Sequence, residues 1–175
     1  MIEKIDIGKC LSELPDGNAG KIVGTSGTNG VLTTPAKVTD AGGCGVIELG
    51  RLSNNKWYRI AIGTYSHRPS SALFNIGKNY ATNIPTSQLF YAAAFGYNTT
   101  HVVACLANAG KAVGKARILY KNSTTEKVIL DIYISSLGEN AFTLSYSNNI
   151  GFVFQSAVEV LEATDAGYLV KEFTF

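Results

Sequence analysis

The stretch from Lys56 to Tyr65 reads Lys-Trp-Tyr-Arg-Ile-Ala-Ile-Gly-Thr-Tyr and holds the only tryptophan of the chain, with no aromatic residue before it. Aromatic and β-branched residues are typical of strands, because they fit a pleated and half-buried surface. The triplet Ser53-Asn54-Asn55 just ahead has the composition of a turn. The stretch therefore predicts a strand that begins after a tight turn, and it favours the centre of a β-sandwich.

The two faces of this predicted strand differ, since successive side chains alternate across a strand. One face carries Trp57, Arg59, Ala61 and Gly63, and the other carries Tyr58, Ile60, Ile62 and Thr64. We expect the second set to face the core. We expect the face with Trp57 to be partly exposed to solvent or packed against another chain, with the aliphatic stem of Arg59 lying over the Trp57 indole.

The spacing of short apolar runs predicts an all-β fold. Eight further strands are predicted, at 71–76, 88–95, 101–107, 116–120, 127–134, 141–146, 151–154 and 168–175. Turn residues such as Arg68-Pro69-Ser70 separate them. A short helix is plausible only near 155–163, where Val158 and Val160 still alternate as in a strand. The pattern indicates an antiparallel β-sandwich, jelly-roll-like, with Val128, Leu130, Ile132 and Ile134 as a fully apolar inner face.

Composition divides the chain near residue 50. Residues 1–50 hold ten of the 18 glycines and no aromatic residue, so this part cannot bury enough surface to fold alone. We expect an extended Gly-rich N-terminal arm or stalk at 1–50 and a β-sandwich domain at 51–175. The strand-like Val46 to Leu49 leads from one into the other.

Charge is low and unevenly distributed. Charged residues make up 16% of the chain, and the net charge is +2. No two of the 15 Lys and Arg are adjacent, which argues against nucleic acid as a partner and against a polybasic membrane arm. Between Leu49 and Thr125 there is no Asp or Glu, so this basic part favours an acidic ligand. The chain lacks a signal-peptide pattern and an apolar run of membrane-spanning length, so we expect synthesis in a cytoplasm and no membrane insertion.

Residues that usually bind metals or perform catalysis are not arranged for it. The three cysteines, Cys10, Cys44 and Cys105, lack metal-type spacing, and the two histidines lack a partner at ligand spacing. His101 and Cys105 are roughly 13 Å apart along a strand, too far for a nucleophile and its base, so we interpret Cys105 as a structural thiol. The glycine motifs fail the phosphate-loop and dinucleotide patterns. We therefore expect no cofactor, no metal and no enzymatic activity.

Two predicted loops carry polar and aromatic residues that suit recognition. Tyrosine beside asparagine and serine is typical of surfaces that bind sugars or protein epitopes. An ordinary alternative is that these tyrosines only flank strands. The predicted ligand-binding residues are Tyr65, His67, Arg68, Asn79, Tyr80 and Asn83.

The sequence from Lys56 to Phe74, in which Trp-Tyr-Arg-Ile-Ala is followed by Ser-Ser-Ala-Leu-Phe, resembles the C-terminal domains of phage and prophage tail fibres and receptor-binding proteins. The ending from Gly167 to Phe175 is similar to the strand that closes such domains. The resemblance covers the last two thirds of the chain, by pattern. It implies a β-rich homotrimer that is made in a bacterial cytoplasm, forms part of a virion tail or tail-like particle and binds a bacterial cell-surface glycan or protein. It transfers no binding residues, because tip loops vary.

The hypothesis from sequence is thus a non-catalytic, homotrimeric receptor-binding module. One alternative is a polysaccharide-degrading tail enzyme, which needs clustered acids where this chain offers scattered ones such as Asp131 and Glu139. The other is a purely structural virion or decoration protein, which predicts no glycan or cell binding.

Overall fold

The computed structural model describes residues 22–23, 35–36, 43–63, 68–78, 85–96, 100–123, 126–161, 165 and 167–175. The chain divides into two compact units, Met1–Ala41 and Gly42–Phe175. In the first unit, strands β1 (Ile22–Val23) and β2 (Pro35–Ala36) form an antiparallel pair. The rest of the predicted N-terminal arm lies outside the described residues, except for its end at 43–50.

The second unit is built from ten strands, and the described residues contain no helix. The strands are β3 (Gly45–Leu52), β4 (Lys56–Gly63), β5 (Ser70–Lys78), β6 (Ser87–Ala94), β7 (Val102–Ala109), β8 (Val113–Tyr120), β9 (Ile129–Ile134), β10 (Asn140–Ile150), β11 (Phe152–Val160) and β12 (Leu169–Thr174). Residues 155–160, where a short helix was plausible, continue β11. Strand β3 runs across the domain boundary predicted at residue 50.

The ten strands form two five-stranded antiparallel sheets. Sheet 1 has the order β3-β10-β5-β6-β7, and sheet 2 has the order β11-β4-β9-β8-β12. Strands β3, β4 and β5 alternate between the sheets, and β10 returns to lie between β3 and β5. This crossing between layers confirms the predicted β-sandwich and gives it a jelly-roll-like character.

The core lies between the sheets. Val128, Leu130, Ile132 and Ile134 are all buried there, which confirms the predicted apolar face. Sheet 1 contributes Phe74 and Phe90, whose stacked rings are 5.3 Å apart, and Phe74 also contacts Phe154 of sheet 2. Aromatic contacts of this kind stabilise a core beyond their buried area.

One buried polar side chain bridges β6 and the segment that enters β8. The Gln88 Oε1 atom accepts hydrogen bonds from the amides of Ala112 and Val113 at 2.9 and 2.7 Å, and its Nε2 donates to the Val113 carbonyl at 3.1 Å. A hydrogen-bonded amide is tolerated in a core, whereas an unpaired one is costly. Gln88 therefore ties the two sheets together at this end.

The predicted faces of β4 are correct only in its first half. Arg59 pairs with Asp131 and Ala61 with Leu130, so one extra residue of β4 forms a β-bulge. The bulge turns both Ile60 and Ala61 to the core. Ile62, predicted as core, consequently pairs with the exposed Val153 of β11 on the outer side.

Candidate functional site

The outer face of sheet 1 carries a shallow depression, which we call the sheet-1 groove. It crosses β10, β5 and β6 and has a volume of about 130 Å³. Its lining residues are Leu73, Phe74, Asn75, Leu89, Ser145, Tyr146 and Ser147. Phe74 and Tyr146 point inward to ring contacts with Phe154, so the side chains that face the groove come from the other five.

Strand register assembles these five side chains from distant parts of the chain. Ser145, Asn75 and Leu89 form one cross-strand row. Ser147, Leu73 and Tyr91 form the next row. Because side chains two residues apart share a face, two neighbouring rows create a continuous surface. Gly77 follows on β5, so that side of the groove stays open.

The groove has no ionisable acid or base. At the outward positions of the described stretches 71–77, 87–93 and 143–147 there is no Asp, Glu, Lys, Arg or His. Ser87 Oγ donates a hydrogen bond to Asn75 Oδ1 at 2.8 Å, which orients the carboxamide at the groove edge. Hydroxyl and amide groups beside Leu73 and Leu89 combine hydrogen bonding with apolar contact, and this combination suits an uncharged polar ligand.

The size of the groove limits what it can hold. Its volume is about 130 Å³. That is smaller than the pockets that enclose cofactors. The groove fits part of a sugar ring, or a side chain of a larger ligand that extends along the sheet.

Five of the six ligand-binding residues predicted from sequence lie outside the described residues: Tyr65, His67, Asn79, Tyr80 and Asn83. The sixth, Arg68, is exposed. The described neighbours of the two predicted loops lie at opposite ends of β5, at Ser70 and Lys78, roughly 26 Å apart at the rise of a strand. The two loops therefore require separate tests.

A buried charge cluster lies on the outer side of sheet 2. Asp131 is fully buried, and its two carboxylate oxygens each bind an arginine, Arg59 and Arg117, at 3.1 Å. Burial alone would lower the pKa of the Arg59 guanidinium, but Asp131 and Asp165 raise it overall. Arg117 Nη2 also donates to the Leu161 carbonyl at 3.0 Å. These contacts hold Leu161 and Asp165 against the sheet.

The cation over the tryptophan is a different arginine from the one predicted. The Arg117 guanidinium carbon lies 4.4 Å from the centre of the Trp57 ring, while Arg59 turns to Asp131 and Asp165. Trp57 is buried by residues of its own chain, including Tyr133 at 5.3 Å. The expectation that this face of β4 is partly exposed to solvent or packed against another chain is therefore wrong at Trp57.

Acids from the C-terminal third neutralise much of the basic middle of the chain. Salt bridges join Arg51 to Glu139, Lys56 to Glu159, Arg59 to Asp131 and Asp165, Arg117 to Asp131, and Lys121 to Glu126. Five of the nine Lys and Arg residues between Leu49 and Thr125 therefore have an acid partner, which weakens the case for an acidic ligand.

A second buried polar group lies at the start of β7. His101 is 1% exposed, and its ring centre is 4.3 Å from that of Tyr120. Its Nδ1 accepts a long hydrogen bond from the Phe95 amide, and its Nε2 has no hydrogen-bond partner among the described residues. Burial, with a contribution from Lys171, lowers the pKa of His101 to about 4. A neutral imidazole without a base or acid partner is consistent with a structural role.

Other kinds of site find little support in the described part of the chain. There, no three His, Cys, Asp or Glu side chains come together in a way that would hold a metal ion. The thiol of Cys105 is half-exposed, packs against the core and donates to the Ala107 carbonyl, as a structural cysteine would. No described helix has the length and apolar character needed to cross a membrane.

Comparisons with protein-family models, curated proteins and solved structures find no significant match to this chain. The likeness to tail-fibre domains thus depends on the residues quoted from the sequence.

Sequence reasoning missed Asn75, Ser145 and Ser147 as candidate site residues. The alternation of small polar and apolar residues on β5 and β10 was visible in the sequence. Its significance depends on β10 pairing with β5, about 70 positions earlier in the chain.

Proposed function

We propose that this chain is a non-catalytic receptor-binding module of a phage-type tail fibre or tail-like particle, and that it recognises a bacterial cell-surface glycan or protein. The observation that carries the proposal is the sheet-1 groove, an uncharged surface of Asn75, Ser145 and Ser147 beside Leu73 and Leu89. Neutral sugars present hydroxyl groups and apolar ring faces, and this surface complements both.

The surroundings of the Asp131 and Glu139 carboxylates support a binding function over a catalytic one. Asp131 is buried between two arginines, and Glu139 pairs with Arg51 at 3.5 Å. A polysaccharide-degrading enzyme needs two carboxyl groups flanking the scissile bond, one of them able to give up a proton. Of the two acids considered for that role, one is inaccessible and the other is held in an ion pair.

Filling the groove tests the proposal. Labelled protein is mixed with a panel of bacterial strains, and the variant Ser145→Tyr is compared with the wild type. The added ring occupies the groove, so cell binding should fall at least tenfold. The matched control is Ser156→Tyr, because Ser156 is an exposed serine on β11 of the other sheet. It should bind as the wild type does.

Variants of the loop residues predicted from sequence form a second part of the test. Tyr65→Ala and Tyr80→Ala are measured separately, since the described flanks of the two loops lie at opposite ends of β5. Loss of binding in either variant, with Ser145→Tyr unaffected, would move the site to that loop. A folded wild type that binds no strain of the panel would count against the receptor-binding function and favour a structural virion protein. Sugar released from surface polysaccharide would favour the enzyme.

A further inference from the structure

Tyr91 on β6 differs from the other tyrosines that the structure describes. Six of the nine tyrosines are described, and five of the six make a hydrogen bond, a ring contact or a cation contact within the chain: Tyr58, Tyr120, Tyr133, Tyr146 and Tyr168. Tyr91 makes none of these contacts with the described residues, and it is 38% exposed. Covering an exposed aromatic ring is favourable, so Tyr91 is available to a ligand.

Strand register places Tyr91 directly beside the sheet-1 groove. Leu73, which lines the groove, pairs with Tyr91 on one side and with Ser147 on the other. Neighbouring strands are roughly 5 Å apart, so Tyr91 and Ser147 flank Leu73 across roughly 10 Å. Asn75 follows Leu73 on the same face of β5. A ligand ring that lies over Leu73 therefore has Tyr91 on one side, Ser147 on the other and Asn75 ahead of it.

The polar groups of the groove have hydrogen-bonding capacity that the described residues do not use. Asn75 Oδ1 accepts a hydrogen bond from Ser87 Oγ at 2.8 Å, which leaves the two N–H groups of its carboxamide. The hydroxyls of Ser145 and Ser147 make no hydrogen bond with any described residue. A hydroxyl both donates and accepts. The groove therefore offers donors and acceptors next to apolar side chains.

We propose that the sheet-1 groove binds one uncharged pyranose residue of a surface polysaccharide, with the apolar face of the sugar against the Tyr91 ring. This inference rests on the proposed function and narrows its ligand to a neutral glycan. A pyranose has an apolar face of C–H groups and a rim of hydroxyls, which match the ring and the polar groups described above. The groove holds part of a sugar ring, whereas a protein receptor needs roughly 800 Å² on each partner.

The charge around the groove favours a neutral sugar over an acidic one. Among the described outward positions of β5, β6 and β10 there is no lysine or arginine that would pair with a carboxylate or phosphate. On β3, Glu48 lies opposite Thr143, two rows from Leu73, and it would repel an acidic group. An acidic sugar would therefore lose part of its hydration without compensation.

Titration of the isotope-labelled full-length protein, followed by its amide NMR spectrum, tests the ligand class. The neutral probes are the methyl glycosides of glucose, galactose, mannose, rhamnose and N-acetylglucosamine, and the acidic probes are methyl glucuronide and glycerol phosphate. At least one neutral probe should shift the amides of residues 73–75, 89–91 and 145–147, with a millimolar dissociation constant. No shift with any neutral probe, shifts confined to another surface, or shifts with the acidic probes alone would overturn the inference.

Variants of Tyr91 show whether its ring makes the contact. Tyr91→Ala should weaken binding of the same glycoside at least about tenfold, because it removes the ring against which the sugar packs. Tyr91→Phe, which restores the ring without the hydroxyl, should return the affinity to within about threefold of the wild type. The matched control is Val153→Ala, which truncates an exposed apolar side chain on β11 of the other sheet and should bind as the wild type does. Wild-type affinity in a folded Tyr91→Ala protein would overturn the inference.

Cell binding separates failure of this inference from failure of the proposed function. If the wild type binds cells, Ser145→Tyr abolishes that binding and no neutral glycoside shifts the groove amides, the receptor-binding function stands and the inference is wrong. Loss of binding after proteinase treatment of the cells would then identify a protein receptor. If the wild type binds no strain while a neutral glycoside shifts the groove amides in a Tyr91-dependent way, the sugar site stands and the receptor-binding function fails.

Discussion

At the scale of single residues, Asp131 is the side chain whose charge matters most. It is fully buried, and both of its oxygens bind arginines at 3.1 Å. Asp165 pairs with Arg59 at 3.0 Å and supplies the second negative charge, while the Trp57 ring and the Leu161 carbonyl contact Arg117. Buried ions are tolerated only while their partners are in place.

The substitution Asp131→Asn should lower the free energy of unfolding by about 3 kcal/mol, because it removes from a buried site the carboxylate that Arg117 and Arg59 share. Urea denaturation measures the change. The control is Glu159→Gln, which breaks the exposed pair with Lys56 and should alter stability little, because solvent screens such pairs. Equal losses in the two variants would contradict the view that Asp131 is structurally central.

His101 makes stability depend on pH. Its pKa is lowered to about 4 from an ordinary value near 6.5, so the unfolded chain binds more protons than the folded chain between these values. The free energy of unfolding is therefore highest above pH 6.5, where His101 is neutral in both states, and it decreases as the pH falls toward 4. The shift corresponds to roughly 3 kcal/mol at most.

The variant His101→Phe keeps a ring against Tyr120 and removes the titrating group, so its loss of stability between pH 6.5 and pH 4 should be smaller than that of the wild type. Urea denaturation at several pH values gives the comparison. His67→Gln removes the other histidine of the chain and serves as the control. If His67→Gln flattens the profile and His101→Phe does not, His101 is not the responsible group.

At the scale of elements, strand positions were predictable because a half-buried strand repeats every two residues. The alternation from Val128 to Ile134 identified β9 and its inner face, and turn residues marked where strands end. Strand β11 was only partly predicted, since 155–163 also fitted a short helix. Its alternation at Val158 and Val160 was the better guide.

Features that depend on a partner strand were not predictable. The β-bulge at Ile60 arises from the register between β4 and β9, and neither strand shows it alone. Likewise, the sequence of β4 predicts Arg59 as the partner of Trp57, whereas Arg117 on β8 supplies it. The groove residues Asn75 and Ser145 meet for the same reason. The sequence of one strand indicates which of its faces is buried. The register between strands that are distant in the chain decides which residues become neighbours.

At the scale of the whole molecule, the distribution of charge separates the two possible binding surfaces. On β5, β6 and β10 the outward positions around the sheet-1 groove carry no acid or base, and acids from the C-terminal third neutralise much of the basic middle of the chain. The loop surface predicted from sequence would instead engage a ligand through His67 and Arg68, which favour acidic groups.

Salt should therefore discriminate between these surfaces when the full-length protein binds bacterial cells. From about 0.1 M to about 1 M salt, the screening length falls from about 10 Å to about 3 Å, which weakens contacts between exposed charges and leaves uncharged contacts nearly intact. Binding through the groove should change less than about twofold over this range, and Arg68→Gln should leave the affinity unchanged. A steep loss of affinity with salt, diminished by Arg68→Gln, would instead place recognition at the charged loop, because only a surface that presents its charge to the ligand responds to screening in this way.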